Sequence, residues 1–415
     1  MSKLLSALES EEQLSVLMAR QPIFSKSQDV VAFELLFRGS DGVSLATLKD
    51  EFATFDVVMN TYANIVKAGG NQKVPCYLKV TDKVLLADLL PDLPPSLFSL
   101  EILGRSDVSP AFVEKLQELS KKGYRIVLAD YDPENPKFTV LLNVIHVLKL
   151  DIQKLGLSEL PGIIQKLKPY QLDLLADKVE TKDEFRQCLE MGFTLYQGYF
   201  LSRPVAVKGK KINSNKILLL QLLGELEQEN ATGVTLEEIA INDPALTYKI
   251  LKVVNSAAFH VPREINSLSH AITLLGMEQI RRWIMLFLST SQDGKPNELT
   301  RNMLIRGRMC ELLAELMGHP NTMNYFIVGL LSQLDAMFDI EMKELLKEVP
   351  LSSELKNALL YYSGAMGETL KDVEFYERGQ FDQLQGSLEK PLYEVAYRHS
   401  LKWSDNVMQA LLSSD

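Results

Sequence analysis

The chain is poor in the features that mark a secreted or membrane-spanning protein. Its 415 residues include three cysteines, Cys76, Cys188 and Cys310, odd in number and far apart. That pattern gives no disulfide framework and suits a reducing cytoplasm. The opening MSKLLSALESEEQL carries acids where a signal peptide needs an unbroken apolar core. No apolar run reaches the ~18 residues of a membrane span; RRWIMLFLSTSQ comes nearest and stops short. A net charge of −10 argues against a general nucleic-acid-binding surface. Ser, His and Cys form no nucleophile elbow or paired motif, and Gly69-Gly70 and Gly39-Ser-Asp-Gly42 are too short to cradle phosphates. There is no internal repeat and no low-complexity segment. The expectation is a cytoplasmic protein with neither DNA nor membrane as partner.

What is present is an ordinary globular composition, 46% hydrophobic and 24% charged. At roughly 100–200 residues per domain, the length suits two domains. From about 14 to 207, short β-rich runs alternate with helical stretches. The strand candidates are LSVLMARQ, VVAFELLFR, VPCYLKV, SLFSLEIL, YRIVLAD, VIHVLKL, LDLLAD and FTLYQGYF. Helix-like segments such as EFATFDVVMNTYANIVKAG, SPAFVEKLQELSKKG and ETKDEFRQCLEMG lie between them, the last two stopped by Gly123 and Gly192. Such alternation predicts a parallel sheet closed into a TIM-like (β/α) barrel. After RPVAVKGKKINSN the period becomes helical throughout. DPALTYKILKVVNSAAF, for one, places Leu246, Ile250, Val253 and Val254 on one face behind an Asp243 cap and Pro244. The reading is α/β plus all-α: a barrel domain over 1–207 and a helical domain over 208–415.

In a (β/α) barrel the working side chains sit at the C-terminal ends of strands. Those ends supply Glu34, Lys79, Glu101, Asp130, Lys149, Asp177 and Gln197. One carboxylate inside the apolar run VVAFELLFR, Glu34, is costly to bury unless a cation or hydrogen-bond donor meets it. Seven polar residues on one rim predict a polar pocket.

At this point a resemblance is plain. FELLFR, KLDI, LLADKVETKDEF and YQGYFLSRP resemble, in order and spacing, the motifs of the EAL domain, the bacterial cyclic di-GMP phosphodiesterase fold. The resemblance covers about 14–207, and the last motif is its most specific part. It implies two-metal hydrolysis of a phosphodiester. Glu34 and Glu101 match metal-binding carboxylates, Asp130 the second of a pair of aspartates, Lys149 a water-orienting lysine, Arg38 a phosphate contact and Gln197 a site-closing glutamine. Glu34, Leu36, Arg38 and Gln197 are thereby candidate nucleotide-binding residues.

The departures from the family pattern are concentrated on the metals. The metal-binding Asn position is Lys79, the bridging Asp is Ala129, the Glu of one segment is Asp177, and a loop Glu is Gly104. Magnesium or manganese wants several hard oxygen ligands. An ammonium ~4 Å from a dication repels it by roughly 8 kcal/mol at an effective dielectric of ~20. The expectation is a vestigial metal pocket of Glu34, Lys79, Glu101, Ala129, Asp130, Lys149 and Asp177 with no metal and no catalytic residue. Mg or Mn enters only if activity persists. Lys79 either bridges to Glu101, Asp130 or Glu34, or points to solvent while the acids pair with Lys149 and Arg38.

The second half, INDPALTYKILKVVNSAAFHVPREINSLSHAITLLGMEQIRRWIMLFL, resembles the HDOD domain, a helical module related to HD-type metal phosphohydrolases. Those hydrolases need a His-Asp pair, and none of the five His in this chain precedes an Asp. The corresponding positions are Ser332 and Gln333. His270 is expected to be packed or hydrogen-bonded, and Trp283 to be core. Three functions follow as expectations: a regulatory protein acting through a protein partner, a cyclic di-GMP receptor without hydrolysis, and a phosphodiesterase with residual activity. Dimerisation stays open.

Overall fold

The computed structural model describes residues 16–39, 74–200 except 89, 91–92 and 105, isolated positions from 224 to 255, 267–290, and 295–412 except 350. The expected helix at 51–69, the DPALTYKILKVVNSAAF segment apart from Asn255, the boundary at 207/208, and the side chains of Arg38 and Trp283 fall outside the described residues.

All eight expected strands form: β1 Val16–Phe24, β2 Val30–Gly39, β3 Cys76–Val80, β4 Phe98–Leu103, β5 Arg125–Ala129, β6 Val147–Asp151, β7 Asp173–Asp177 and β8 Leu195–Gln197. They close into a barrel in chain order. One expectation needs correction. The sheet is not wholly parallel, because β1 runs antiparallel to both β2 and β8. A five-residue connection around Ser25–Asp29 turns β1 directly into β2, and a tight hairpin can only join antiparallel strands. The start of β1, not its end, therefore stands at the rim where the other strands finish.

The barrel interior is filled by Ile23, Ala32, Tyr77, Val127, Val147 and Leu175, one inward face of alternating strand residues. The opposite faces pack under the helices, with Leu78, Leu100, Ile126, Leu128, Leu148 and Leu150 buried. Two of these helices are α1, Pro110–Lys121, and α2, Lys182–Glu190. Each begins on a hydroxyl cap, Ser109 and Thr181; the latter completes a capping box with Glu184. Each ends before a glycine with positive φ, Gly123 at 97° and Gly192 at 96°.

The second half is helical wherever it is described: α3 Leu268–Leu275, α4 Met277–Thr290, α5 Asn297–Leu316, α6 Thr322–Leu331, α7 Leu334–Phe338, two short helices, α8 Gly364–Glu377 and α9 Lys390–Leu412. Its core includes Met303, Leu313, Phe326, Leu330, Val373 and Tyr397. Leu17 and Ala19 of β1 belong to this same core. They share a strand face with Ile23, so the face that fills the barrel lower down packs on the helices above the rim.

Above Ile23, β1 has no strand partner on its β8 side among the described residues, and the helices supply partners for that edge. The Met18 N–H donates to the Glu394 carboxylate at 3.3 Å. The Tyr376 hydroxyl lies 2.9 Å from the Met18 carbonyl oxygen, and the Arg20 N–H points to the Tyr397 hydroxyl at 3.4 Å. An open strand edge invites foreign pairing, and here side chains of α8 and α9 close it. A second tie runs through Asp339, which meets Lys182 at the start of α2 at 3.0 Å and Lys295 at 2.7 Å. No helix among the described residues is long and apolar enough to cross a membrane.

Candidate functional site

Glu34 sits on β2 one level above the apolar barrel layer and is 2% exposed. A carboxylate buried to that degree is unstable without counter-charge, and the neighbouring strands bring two cations to it. Lys79 of β3 reaches Oε1 at 2.5 Å and Lys149 of β6 reaches Oε2 at 2.5 Å. Gln197 of β8 donates its amide to Oε2 at 2.7 Å. Both carboxylate oxygens are thus held by protein donors.

Glu101 on β4 is the deepest member, fully buried, with Lys79 at 3.9 Å and Lys149 at 4.0 Å. Neither of its oxygens has a hydrogen-bond partner among the described residues. Asp177 at the end of β7 lies 3.7 Å from Lys149.

The electrostatics follow from burial set against charge. Burial pushes the Glu34 carboxyl up, but the Lys149 and Lys79 ammonium groups outweigh it and hold it well below the usual carboxylate range. Burial also works against the charge on Lys149, yet Glu101, Glu34 and Asp177 together raise it. Lys79 is raised in the same way, against burial, by Glu34 and Glu101. Glu101 goes the other way: burial and then the Glu34 charge push it up to about 7. Asp177 is raised as well, burial outweighing Lys149.

Of the residues expected in the vestigial pocket, Glu34, Lys79, Glu101, Lys149 and Asp177 meet as one cluster, and Gln197 joins it. Ala129 ends β5, buried. Asp130 does not join, which corrects its expected place. It follows the end of β5 in a left-handed conformation, φ 54°, and is exposed. Its carbonyl oxygen would lie 2.3 Å from a Cβ added at Gly104, so position 104 takes no side chain in this arrangement. Of the two expected placements of Lys79, the bridge to Glu34 is the one observed. Leu36 packs on the helical core and would touch a Cβ at Gly379 at 2.8 Å, so the helical domain covers it. Among the described residues, no group of three His, Cys, Asp or Glu side chains could hold a metal ion.

The strand-end reading missed Gln21, Tyr199 and Arg378. Gln21 accepts from Gln197 at 3.3 Å and donates to the Tyr199 hydroxyl at 3.0 Å. The Arg378 guanidinium of the helical half lies 5.2 Å from the Tyr199 ring centroid. Gln21 was hidden because β1 is antiparallel and offers its earlier residues to the rim. A turn too short for a crossover between two strand patterns, at 25–29, was the available signal.

In the helical half, Arg306 stands beside Ser332. It donates to the Ser332 hydroxyl at 3.1 Å and pairs with Glu374 at 3.1 Å and Glu377 at 2.7 Å. Gln333 is buried at the seam between the two halves. His270, expected to be packed or hydrogen-bonded, is exposed.

Comparison with known proteins places these features in a family. The HDOD domain profile matches residues 215–350. YuxH of Bacillus subtilis, an uncharacterized protein, is 32% identical over 408 residues, covering 96% of this chain and all of that one. CdgJ of Vibrio cholerae, named a cyclic di-GMP phosphodiesterase, is 29% identical over 377 residues, 88% of this chain and 86% of that one. Among solved structures, the EAL domain of FimX from Pseudomonas aeruginosa bound to c-di-GMP covers 48% of this chain and 95% of that one, at 17% identity and a TM-score of 0.37. Matched along nearly its whole length, the chain belongs to the YuxH family, and its closed eight-stranded barrel is followed by an HDOD domain.

Proposed function

We propose that this chain is a cyclic di-GMP-related signalling protein whose barrel does not hydrolyse the dinucleotide and whose output is contact with a protein partner. One observation carries the reading: both oxygens of Glu34, the signature carboxylate, are taken by the ammonium groups of Lys79 and Lys149. A divalent pair needs those oxygens and further hard donors. Ala129 offers none, Asp130 is exposed, and Gly104 faces backbone. The donor set does not fit two divalent cations. The residues that remain favour holding charge in place: an internally paired pocket in which Gln197 also donates to Glu34.

The likeness to CdgJ, a named phosphodiesterase, favours hydrolysis as a second reading. Calorimetric titration of cyclic di-GMP with and without manganese, followed by an assay for the linear dinucleotide, separates the two. The proposal expects no turnover above background with manganese present. Product formed at a steady rate, and abolished by Glu34→Gln, overturns it. Binding without product leaves the non-hydrolytic reading standing and makes the barrel a receptor.

A further inference from the structure

Between the barrel rim and the helices lies a cavity of about 60 Å³. On one side it is walled by Arg20 and Gln21 of β1 and by Tyr199 after β8. On the other stand Glu298, Asn302 and Arg306 of α5, with Tyr397 of α9. At ~10–15 Å³ per water on this measure, it has room for about four waters or one short carboxylate.

We propose that this seam cavity is a binding site for a small monocarboxylate, held by Arg20, Tyr199 and Tyr397 and touching both halves of the chain. Arg20 Nη2 is buried with no hydrogen-bond partner among the described residues. The guanidinium otherwise lies over the Phe33 ring, 4.3 Å from its centroid. Leaving such a donor buried and unmet is costly. The two phenols add to it. Tyr199 accepts from Gln21 and Tyr397 from the Arg20 backbone, so each keeps its own proton to give. Burial pushes Tyr199 up to about 12 and raises Tyr397 also, so both stay protonated at neutral pH. Three donors thus line one space, together with the Glu298 and Glu377 carboxylates.

The carboxylates in the lining already have cations. Glu377 meets Arg306 at 2.7 Å, and Glu298 meets Arg301 at 3.3 Å. Arg20 is the lining cation with an open donor. A dianion such as phosphate faces Glu298 and Glu377 at twice the charge, which favours a monoanion. A planar carboxylate also matches a guanidinium edge. The inference does not depend on whether the barrel hydrolyses anything.

The test uses the full chain, titrated with acetate or formate against chloride at equal ionic strength and pH. The wild type is expected to bind acetate calorimetrically, and its melting temperature to rise by roughly 2 °C at ten times the dissociation constant. Arg20→Gln is expected to weaken binding tenfold or more, as loss of a charged hydrogen bond implies. Tyr397→Phe and Tyr199→Phe, which keep the packing, are expected to weaken it severalfold, while the remote surface variant Lys115→Ala binds as wild type. Equal acetate affinity in wild type and Arg20→Gln overturns the proposal. So does a wild type that gains nothing from acetate or formate beyond chloride, which assigns the cavity to water.

Discussion

Replacing Lys149 by Met tests how the charged pocket is held. The ammonium is nearly buried, 2.5 Å from Glu34, 3.7 Å from Asp177 and 4.0 Å from Glu101. Methionine fills a similar volume without charge and leaves those acids with Lys79 alone. Breaking one side of a buried ion pair costs about 3–5 kcal/mol, because the remaining charges stay desolvated. Lys79→Met provides the internal control. Its side chain is 41% exposed, so water screens the Glu34 pair and the cost is about 1 kcal/mol or less. The pH dependence fixes the cause. The lysines hold Glu34 below its ordinary value, so its contribution to stability is present above the unfolded carboxylate range and lost as pH falls through the folded value. Lys149 also lowers the raised Glu101 carboxyl, so without it Glu101 is raised further, its ionisation costs more at pH 8, and the stability gap between variant and wild type narrows as pH falls from 8 to 5. Urea unfolding at pH 8, 6.5 and 5 measures this directly. A Lys149→Met cost below 1 kcal/mol at pH 8, or a cost that does not change with pH, refutes the reasoning.

Three further outcomes follow from the geometry. Glu101→Gln is expected to stabilise the protein at pH 8 by up to about 3 kcal/mol. The raised Glu101 carboxyl contributes stability below its unfolded value that is lost as pH rises through about 7, so this slope disappears in the variant's unfolding curves. Lys79→Asn combined with Ala129→Asp removes a cation and restores a shared carboxylate, and manganese binding by calorimetry is expected in the double variant but not in the parent. Gly379→Val is expected to destabilise by about 1–3 kcal/mol in thermal melts. Position 379 has φ 68°, and a side chain there runs into Leu36 at 2.8 Å, so the loss is expected to come with faster proteolysis between the halves.

The strands were legible because each is a short apolar run between turn residues, and because parallel strands expose their working ends at a fixed place. The same rule found Glu34, Lys79, Glu101, Lys149, Asp177 and Gln197, which do converge. It failed where the chain leaves that regularity. Asp130 was placed by its position after β5, yet a positive φ at one residue exposes it, and spacing alone carries no information about φ. Leu36 was a nucleotide-binding candidate through the family resemblance alone, and its packing against the helical half could not be read from the sequence. What covers it is more than 300 residues away in the chain, and a contact of such separation leaves no local periodicity to read.

The antiparallel β1 joins these points. A hairpin at 25–29 forces β1 to run downwards, which leaves the edge of Val16–Gln21 without a strand partner among the described residues. An open edge of that length needs hydrogen-bond partners, and Glu394, Tyr376 and Tyr397 provide them from the helices. Gln21 then stands at the junction, bonded to Gln197 on the pocket side and to Tyr199 on the helical side. Tyr199 meets Arg378, which pairs with Glu374, the partner of Arg306 beside Ser332. Continuous contacts therefore run from the Glu34 pocket to Ser332. Contact alone is not coupling. A double-mutant cycle of Gln21→Leu with Arg378→Met, read as unfolding free energy, decides it. Coupling of about 0.5 kcal/mol or more places the two pockets in one energetic unit. Additivity within about 0.3 kcal/mol makes the seam a passive joint.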